Sequence, residues 1–370
     1  MEGEAFYLSA MLEAKGVSPR ILRGLVERAG SARNLWDNLS DFSFGDDNKI
    51  RKSLLAIKDG KPSLPDEISE ACEKNKISVM TIDDDDYPPI LKEIYNPPLT
   101  IFFRGSIWPN ISRIAMVGSR KASNYGKRAA GDIAETVAAS NLTVVSGAAR
   151  GIDTASHVGA MRSGRTVAVL GCGVDVAYPP DNKALIDEIA ENGAVISEYP
   201  PGTQPLAQFF PARNRIISGL SVGVVVVEAA RHSGSLITAE LALSNGRDVF
   251  AVPGSIYSPT SAGCNHLIKQ GAKLIESASD VLDEYGIGIG SADKASSKRK
   301  KIDDGQVESF LSDEERAVYD VLSYDEAQTV DEIIYGLHGN GAASNVAFIL
   351  LQMQLKGVVV EDENHAYVRA

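Results

Sequence analysis

Short apolar runs recur through the middle of the chain: IAMV (114–117), TVVS (143–146), TVAVL (166–170), AVIS (194–197), VGVVVVE (222–228) and DVFAV (248–252). Helix-length amphipathic segments such as GKRAAGDIAETVAAS lie between several of them. Strands buried on both faces read as continuous apolar runs, so their alternation with helices predicts an α/β domain built on a doubly wound, mostly parallel sheet. Ligands of such sheets bind beyond the C-terminal ends of the strands.

The flanks follow other patterns. Residues 5–75 are helical in spacing, with polar breaks at Gly16 to Pro19, Gly30-Ser31 and Gly60 to Pro65, which predicts a small helical domain over 1–75. Residues 77–104 mix strand-like runs with Pro pairs and are expected to add an edge strand to the domain over 76–287. Residues 288–307 are small and polar with a basic run at Lys298 to Lys301, a linker composition. Beyond it LSDEERAVYDVLS, TVDEIIYGLH and AASNVAFILLQMQLKG have helical spacing, and VVVEDENHAYVRA alternates like a hairpin turning at Glu363-Asn364. Three helices and a hairpin predict a winged-helix module over 308–370, its first two helices capped by Ser or Thr and followed by acidic residues.

The 370 residues fit two or three domains, and 44% hydrophobic with 23% charged residues excludes wholesale disorder. No apolar run is long enough to span a membrane, and Glu2, Glu4 and Glu13 replace the basic start of a secretory signal, so a cytoplasmic protein beginning near Met1 is expected. Cys72, Cys172 and Cys264 lie far apart and read as reduced, buried thiols. The net charge of −12 disfavours polyanions as partners, but it is uneven: 105–287 holds 15 basic and 16 acidic residues, and 308–370 holds 3 and 12. A local basic pocket in the central domain escapes the global balance. The run Asp83 to Asp86 reads as a solvated turn.

Chemistry is expected just after the strands. VGSRKAS supplies Gly118 for a sharp turn, the Ser119 hydroxyl, and the cations Arg120 and Lys121 near a helix N-terminus, which suits a phosphate. SGAARGIDTASH brackets Arg150 with Gly147 and Gly151, and LGCGVDVAYPPDNK leads to Lys183. Each of these is also compatible with a plain tight turn. FFPARNRIISGLS sets Phe209 and Phe210 beside Arg213, Asn214 and Arg215, the pairing of stacking rings and backbone-holding guanidiniums that single-strand binders use; a core ring and a structural ion pair are the alternatives. In EAARHSGSLITAELAL the hydroxyls of Ser233 and Ser235 cap a helix, touch a phosphate, or both. His157 lacks a GxSxG elbow or a Ser-His-Asp plan and reads as a packing or capping residue. Neither a catalytic centre, a metal site nor a cofactor is expected.

VGSRKAS, VVSGAARGIDTASH, TVAVLGCGVDVAYPPDN, ISEYPPG, FPARNRIISGLS, VVVVEAARHSGSLITAELAL, FAVPGS and GCNHLIKQGAKLI, in that order over roughly 80–285, resemble the DNA-processing protein A (DprA, or Smf) family of bacteria. The resemblance implies an extended Rossmann-like core with an N-terminal helical, SAM-like domain. It implies a non-enzymatic, dimeric binder of single-stranded DNA that protects incoming strands during natural transformation and loads the RecA recombinase. Carried over by motif, the DNA pocket comprises Gly118, Ser119, Arg120, Lys183, Phe210, Arg213, Asn214 and Arg215, and the dimer contact runs from Asn265 and His266 through Leu267 and Ile268 to Leu274 and Ile275. The rival is a nucleoside-phosphate-processing enzyme on a related core, which would carry PGGxGTxxE where this chain has EAARHSGSLITAE.

Overall fold

A computed structural model describes residues 3–45, 47–287, 311–323, 327–337, 346–356, 358–362 and 365–369. The expected linker over 288–307 and the hairpin turn at Glu363-Asn364 lie outside the described residues. The chain divides into two compact units, the second formed largely by the residues beyond Gly286.

The first unit opens with α1 (Glu4–Leu12), α2 (Pro19–Ala29), α3 (Ala32–Asp37), α4 (Asn48–Gly60) and α5 (Leu64–Asn75). The first two of the three predicted breaks become caps, while Ser63 at the third makes no capping bond. Ser18 accepts from the Ile21 amide and places Pro19 at the first helical position, and Ser31 accepts from the Asn34 amide. These helices share one continuous apolar core with the sheet that follows, from Met11, Leu22 and Leu35 through Tyr87 and Phe102 to Val195.

The sheet's strands and helices run β1 (Ser78–Thr81), α6 (Pro89–Lys92), β2 (Thr100–Gly105), β3 (Arg113–Gly118), α7 (Asn124–Ala139), β4 (Thr143–Ser146), α8 (Ile152–Met161), β5 (Arg165–Val169), α9 (Lys183–Asn192), β6 (Ala194–Ser197), α10 (Phe209–Gly219), β7 (Gly223–Glu228), α11 (Gly234–Ser244), β8 (Asp248–Ala251), α12 (Ala262–Lys269), β9 (Lys273–Leu274) and α13 (Ala278–Glu284). Their spatial order is β1-β2-β6-β5-β4-β3-β7-β8-β9, parallel from β6 to β9, with β1 and β2 antiparallel at one edge. The expected doubly wound α/β sheet is therefore present. The connector over 77–104 contributes two strands rather than one: β2 closes on β6, and β1 forms the outer edge.

The chain leaves β3 outward through β4, β5 and β6, then crosses back to set β7 on the other side of β3. That reversal opens a crevice at the ends of β3 and β7. The two strands stay in register from Ile114 opposite Gly223 to a shift at Val117, after which the Ser119 amide donates to the Glu228 carbonyl at 2.7 Å. Ile114, Met116, Val144 and Val225 are fully buried beneath it.

The three cysteines are free and buried, and burial pushes the Cys72 and Cys172 thiols up to about 11 and the Cys264 thiol up to about 12. In the acidic run, Asp84 accepts from the Thr81 amide at 2.7 Å, and no group able to hold a metal ion exists among the described residues. No helix among them is long and apolar enough to cross a membrane.

The second unit holds α14 (Asp313–Val321), α15 (Val330–Gly336), α16 (Val346–Leu355) and the antiparallel pair β10 (Val359–Glu361) and β11 (Tyr367–Arg369). Reciprocal capping boxes, Ser312 with Glu315 and Thr329 with Glu332, open α14 and α15. Val318, Ile333, Leu350 and Met353 form a core of its own.

Candidate nucleic-acid interface

A cleft of about 1060 Å³ lies at the crevice between the ends of β3 and β7. One wall is the turn after β3, with Gly118, Ser119 and the exposed cations Arg120 and Lys121. The Ser119 hydroxyl accepts from the Lys121 amide at 3.1 Å, which fixes the turn. The opposite wall is the first half of α10. Pro211 sits in the first turn of that helix, where its missing N–H removes no intrahelical bond.

The two rings before Pro211 separate. Phe209 packs on Tyr199 with ring centroids 4.2 Å apart, away from the cleft lining. Phe210 lines the cleft, with the Tyr178 ring 5.2 Å away and the Arg120 guanidinium over its face at 5.6 Å. A cation and a half-buried aromatic face thus meet at one point: the guanidinium covers the face as it stands, and a base that takes its place on the ring leaves the exposed Arg120 side chain beside it to hold the phosphate.

The three polar residues of the same motif have three environments. Arg213 is 4% exposed at the base of the cleft, and its Nη1 donates to the Gly147 carbonyl at 2.8 Å and to the Val169 carbonyl. It joins α10 to the ends of β4 and β5. Asp153 is buried beside it and accepts from the Ala149 amide at 3.3 Å. Burial pushes the Asp153 carboxyl up, countered by the Arg213 charge, and burial likewise draws the Arg213 guanidinium down. Asn214 lines the cleft and donates to the Gly234 carbonyl at 3.4 Å, tying α10 to the start of α11. Arg215 pairs with Glu198, both side chains 14% exposed, and does not line the cleft. At 3.6 residues per turn, two positions rotate a side chain by roughly 200°, so Arg213 and Arg215 leave the helix on opposite sides.

The cleft therefore gathers Gly118, Ser119, Arg120, Lys121, Phe210, Arg213 and Asn214. Arg150 and Lys183 lie outside it. Arg150 reaches Asp181, and Lys183 reaches Asp187 one helical turn on at 3.0 Å, all at the surface. Tyr178, Arg231 and His232 line the cleft without having been expected there. The last two follow β7, the strand facing β3 at the reversal, and that position is the signal that marks them. Ser233 caps α11, accepting from the Ser235 amide at 3.3 Å.

His157 is buried. Its Nε2 accepts from the Ala148 amide at 3.3 Å, leaving Nδ1 to donate to the Thr166 hydroxyl at 2.7 Å, which in turn donates to the Val144 carbonyl. Burial and the Arg213 charge hold the imidazole at about 3, so it is neutral and structural. Gly151 has φ +79, and a Cβ there would stand 2.3 Å from the Ser119 carbonyl, so the turn after β4 lies against the turn after β3 because residue 151 lacks a side chain.

In the stretch expected at a dimer contact, Leu267 and Ile275 are core residues, and Asn265 bonds the Gly254 backbone. Ile268 is half-buried, His266 is exposed, and Leu274 is 44% exposed on the edge strand β9.

Residues 78–286, the sheet domain that carries this cleft, match the family model described as DNA recombination-mediator protein A. The chain belongs to that family. DNA processing protein DprA of Streptococcus pneumoniae is 49% identical over 215 residues, covering 58% of this chain and 76% of its own. The X-ray structure of DNA processing protein A from Streptococcus pneumoniae superposes with a TM-score of 0.64 at 40% identity, covering 75% of this chain and 97% of that one. A structure of DNA processing protein A from Helicobacter pylori, concerned with its single-stranded DNA binding mode, gives a TM-score of 0.52 at 28% identity over 57% of this chain and 95% of that one. In this member of the recombination-mediator family, the family match thus contains every residue that lines the cleft.

Proposed function

We propose that the protein is a cytoplasmic recombination mediator that binds single-stranded DNA in the cleft between β3 and β7, without catalysis. The observation that carries this reading is the Arg120 guanidinium over the Phe210 ring at the mouth of a cleft whose rim is cationic at Arg120, Lys121 and Arg231. Ring and cation serve an unpaired strand, whose bases are free to stack, better than a duplex. The Helicobacter pylori relative's single-stranded DNA binding supports the choice of ligand. Shielding the strand, loading it with RecA during natural transformation, and acting as a homodimer through the exposed part of 265–275 complete the reading. Its DNA contacts are assigned to Gly118, Ser119, Arg120, Lys121, Phe210 and Asn214, with Arg213 below them.

The rival enzyme would need a glycine-rich phosphate loop and a presented carboxylate after β7. Here Arg231 and His232 occupy the loop, Glu228 at the end of β7 is 2% exposed, and Glu240, though exposed on α11, does not line the cleft. A gel shift with oligo-dT and blunt duplex, beside phosphate release from nucleoside monophosphates, tests both readings. Preference for oligo-dT with no phosphate released is expected. Equal duplex binding at the same salt, or turnover, overturns the proposal.

A further inference from the structure

A second depression of about 550 Å³ lies between α7 and α8, outside the cleft. Four cations line it, Lys127 and Arg128 on α7 with Arg150 and Arg162 at either end of α8, against the carboxylates Asp132 and Asp181. The domain as a whole is close to neutral, and here the lining cations outnumber the carboxylates, Glu135 beside Arg162 included, so the groove has a modest local excess of positive charge. Three of the four cations are paired, all at exposed positions: Arg150 with Asp181 (63% and 67% exposed), Arg162 with Glu135 at 3.2 Å (Arg162 52% exposed), and Arg128 with Asp132 at 4.0 Å (64% and 66%). Exposed pairs of this kind are weak, so a phosphate within reach displaces the carboxylate readily.

The groove and the cleft are neighbours, separated by the packed turns after β3 and β4. Gly151 lines the groove and stands against the Ser119 and Arg120 backbone, which lines the cleft. Thr154 of the groove donates to the carbonyl of Ala149, a cleft residue, at 2.8 Å. No aromatic side chain lines the groove among the described residues; its floor includes Gly151, Ala155 and Val158. It offers charge without a stacking face, which suits a sugar-phosphate backbone and not a base.

We infer that the α7–α8 groove is a second DNA subsite, which carries the phosphates of a single strand onward from the cleft past Arg150 to Arg162. This rests on the cleft reading above, and it places Arg150 on the DNA path although it lies outside the cleft. The division of labour is that the cleft holds bases and phosphates, while the groove holds phosphates alone.

The test is binding of dT oligonucleotides of about 6 and about 25 nucleotides, single-strand sites spanning roughly 4 to 16 nucleotides. Full-length wild type is compared with Lys127→Ala/Arg162→Ala, both at exposed positions, whose melting temperature should match wild type and is measured alongside. The variant should bind the short oligonucleotide as wild type does. It should bind the long one about fivefold or more weakly at low salt, with a salt slope shallower by about 1.4 for two lost phosphates. Unchanged affinity and slope on the long strand overturn the groove and leave the cleft standing, and so does an equal loss on both lengths. Failure of wild type to bind the short strand overturns the cleft reading itself, and the groove with it.

Discussion

The guanidinium of Arg213 lies flat against the backbone of Gly147: a Cβ at residue 147 would stand 2.5 Å from Nη1, 2.6 Å from Nη2 and 2.7 Å from Cζ. Nη1 is bonded to the Gly147 and Val169 carbonyls, so Arg213 cannot withdraw without breaking both. Gly147→Ala should therefore destabilise the fold by about 1 to 3 kcal/mol, the usual penalty for overpacking. Arg213→Ala should lower stability more, because it strands two carbonyls and leaves Asp153 buried without its counter-charge. Urea denaturation of both variants, with the exposed Arg120→Ala as control, checks this. A Gly147→Ala midpoint equal to wild type refutes it.

Phe210 and Arg120 should separate stacking from charge. Removing the Phe210 ring should weaken oligo-dT binding by about 1 to 3 kcal/mol with the salt slope unchanged. Arg120→Ala should lower affinity and make the slope shallower by about 0.7, one phosphate's share on a single strand. With about 4 phosphates held per protomer, the wild-type slope of log K against log salt should be about −3. Affinity titrations at several salt concentrations, with melting curves to show that Phe210→Ala remains folded, decide the matter. A salt slope altered as much by the ring as by the cation contradicts the assignment.

These residues show how far the sequence was legible. The central strands announced themselves because burial on both faces makes their middles continuous apolar runs, with polar residues such as Thr143, Ser146 and Glu228 only toward the strand ends, whereas β1 and β9 sit at the two edges, and in β9 both residues are exposed. FFPARNR was legible as a ring-and-cation motif, but not the direction each member takes. Helical rotation sends Arg213 down and Arg215 to Glu198, and the acceptor that fixes Arg213 lies 66 positions away at Gly147. Arg231 and His232 were hidden beside serines that read as helix caps. Their place in the cleft follows from the return of β7 to β3, which is a property of the topology and not of the local sequence.

His157 predicts a pH dependence of stability. Its folded pKa lies at about 3, below the usual value of 6.5, because burial and Arg213 disfavour the charged ring. The unfolded chain takes up the proton first as pH falls. The stability contributed by neutral His157 is thus fully present above about 6.5 and declines by up to about 1.4 kcal/mol per pH unit as pH falls toward 3. Denaturation midpoints from pH 7 to 4.5 should fall more steeply for wild type than for His157→Gln, which has no proton to take up. Parallel pH profiles would show that the imidazole is not the group responsible.

The C-terminal module should not read DNA with its third helix. A groove-reading helix presents Arg or Lys to phosphates and base edges, yet α16 is followed by a single cation, Lys356, whose ammonium holds both oxygens of Glu315 at 2.6 Å. Arg369 is likewise committed, its Nε donating to the Tyr319 carbonyl and its guanidinium lying 4.4 Å from the Tyr319 ring. What α16 shows to solvent is uncharged, Phe348 at 51% and Leu351 at 52% exposed beside Gln352 and Gln354, on a segment with 3 basic and 12 acidic residues over 308–370. Such a surface repels a polyanion and suits a protein contact. Deleting 308–370 should leave the affinity for single-stranded DNA unchanged or raise it, read by the same oligo-dT titration. A tenfold or greater loss, with the oligomeric state preserved, would mean that the module contributes DNA contacts of its own.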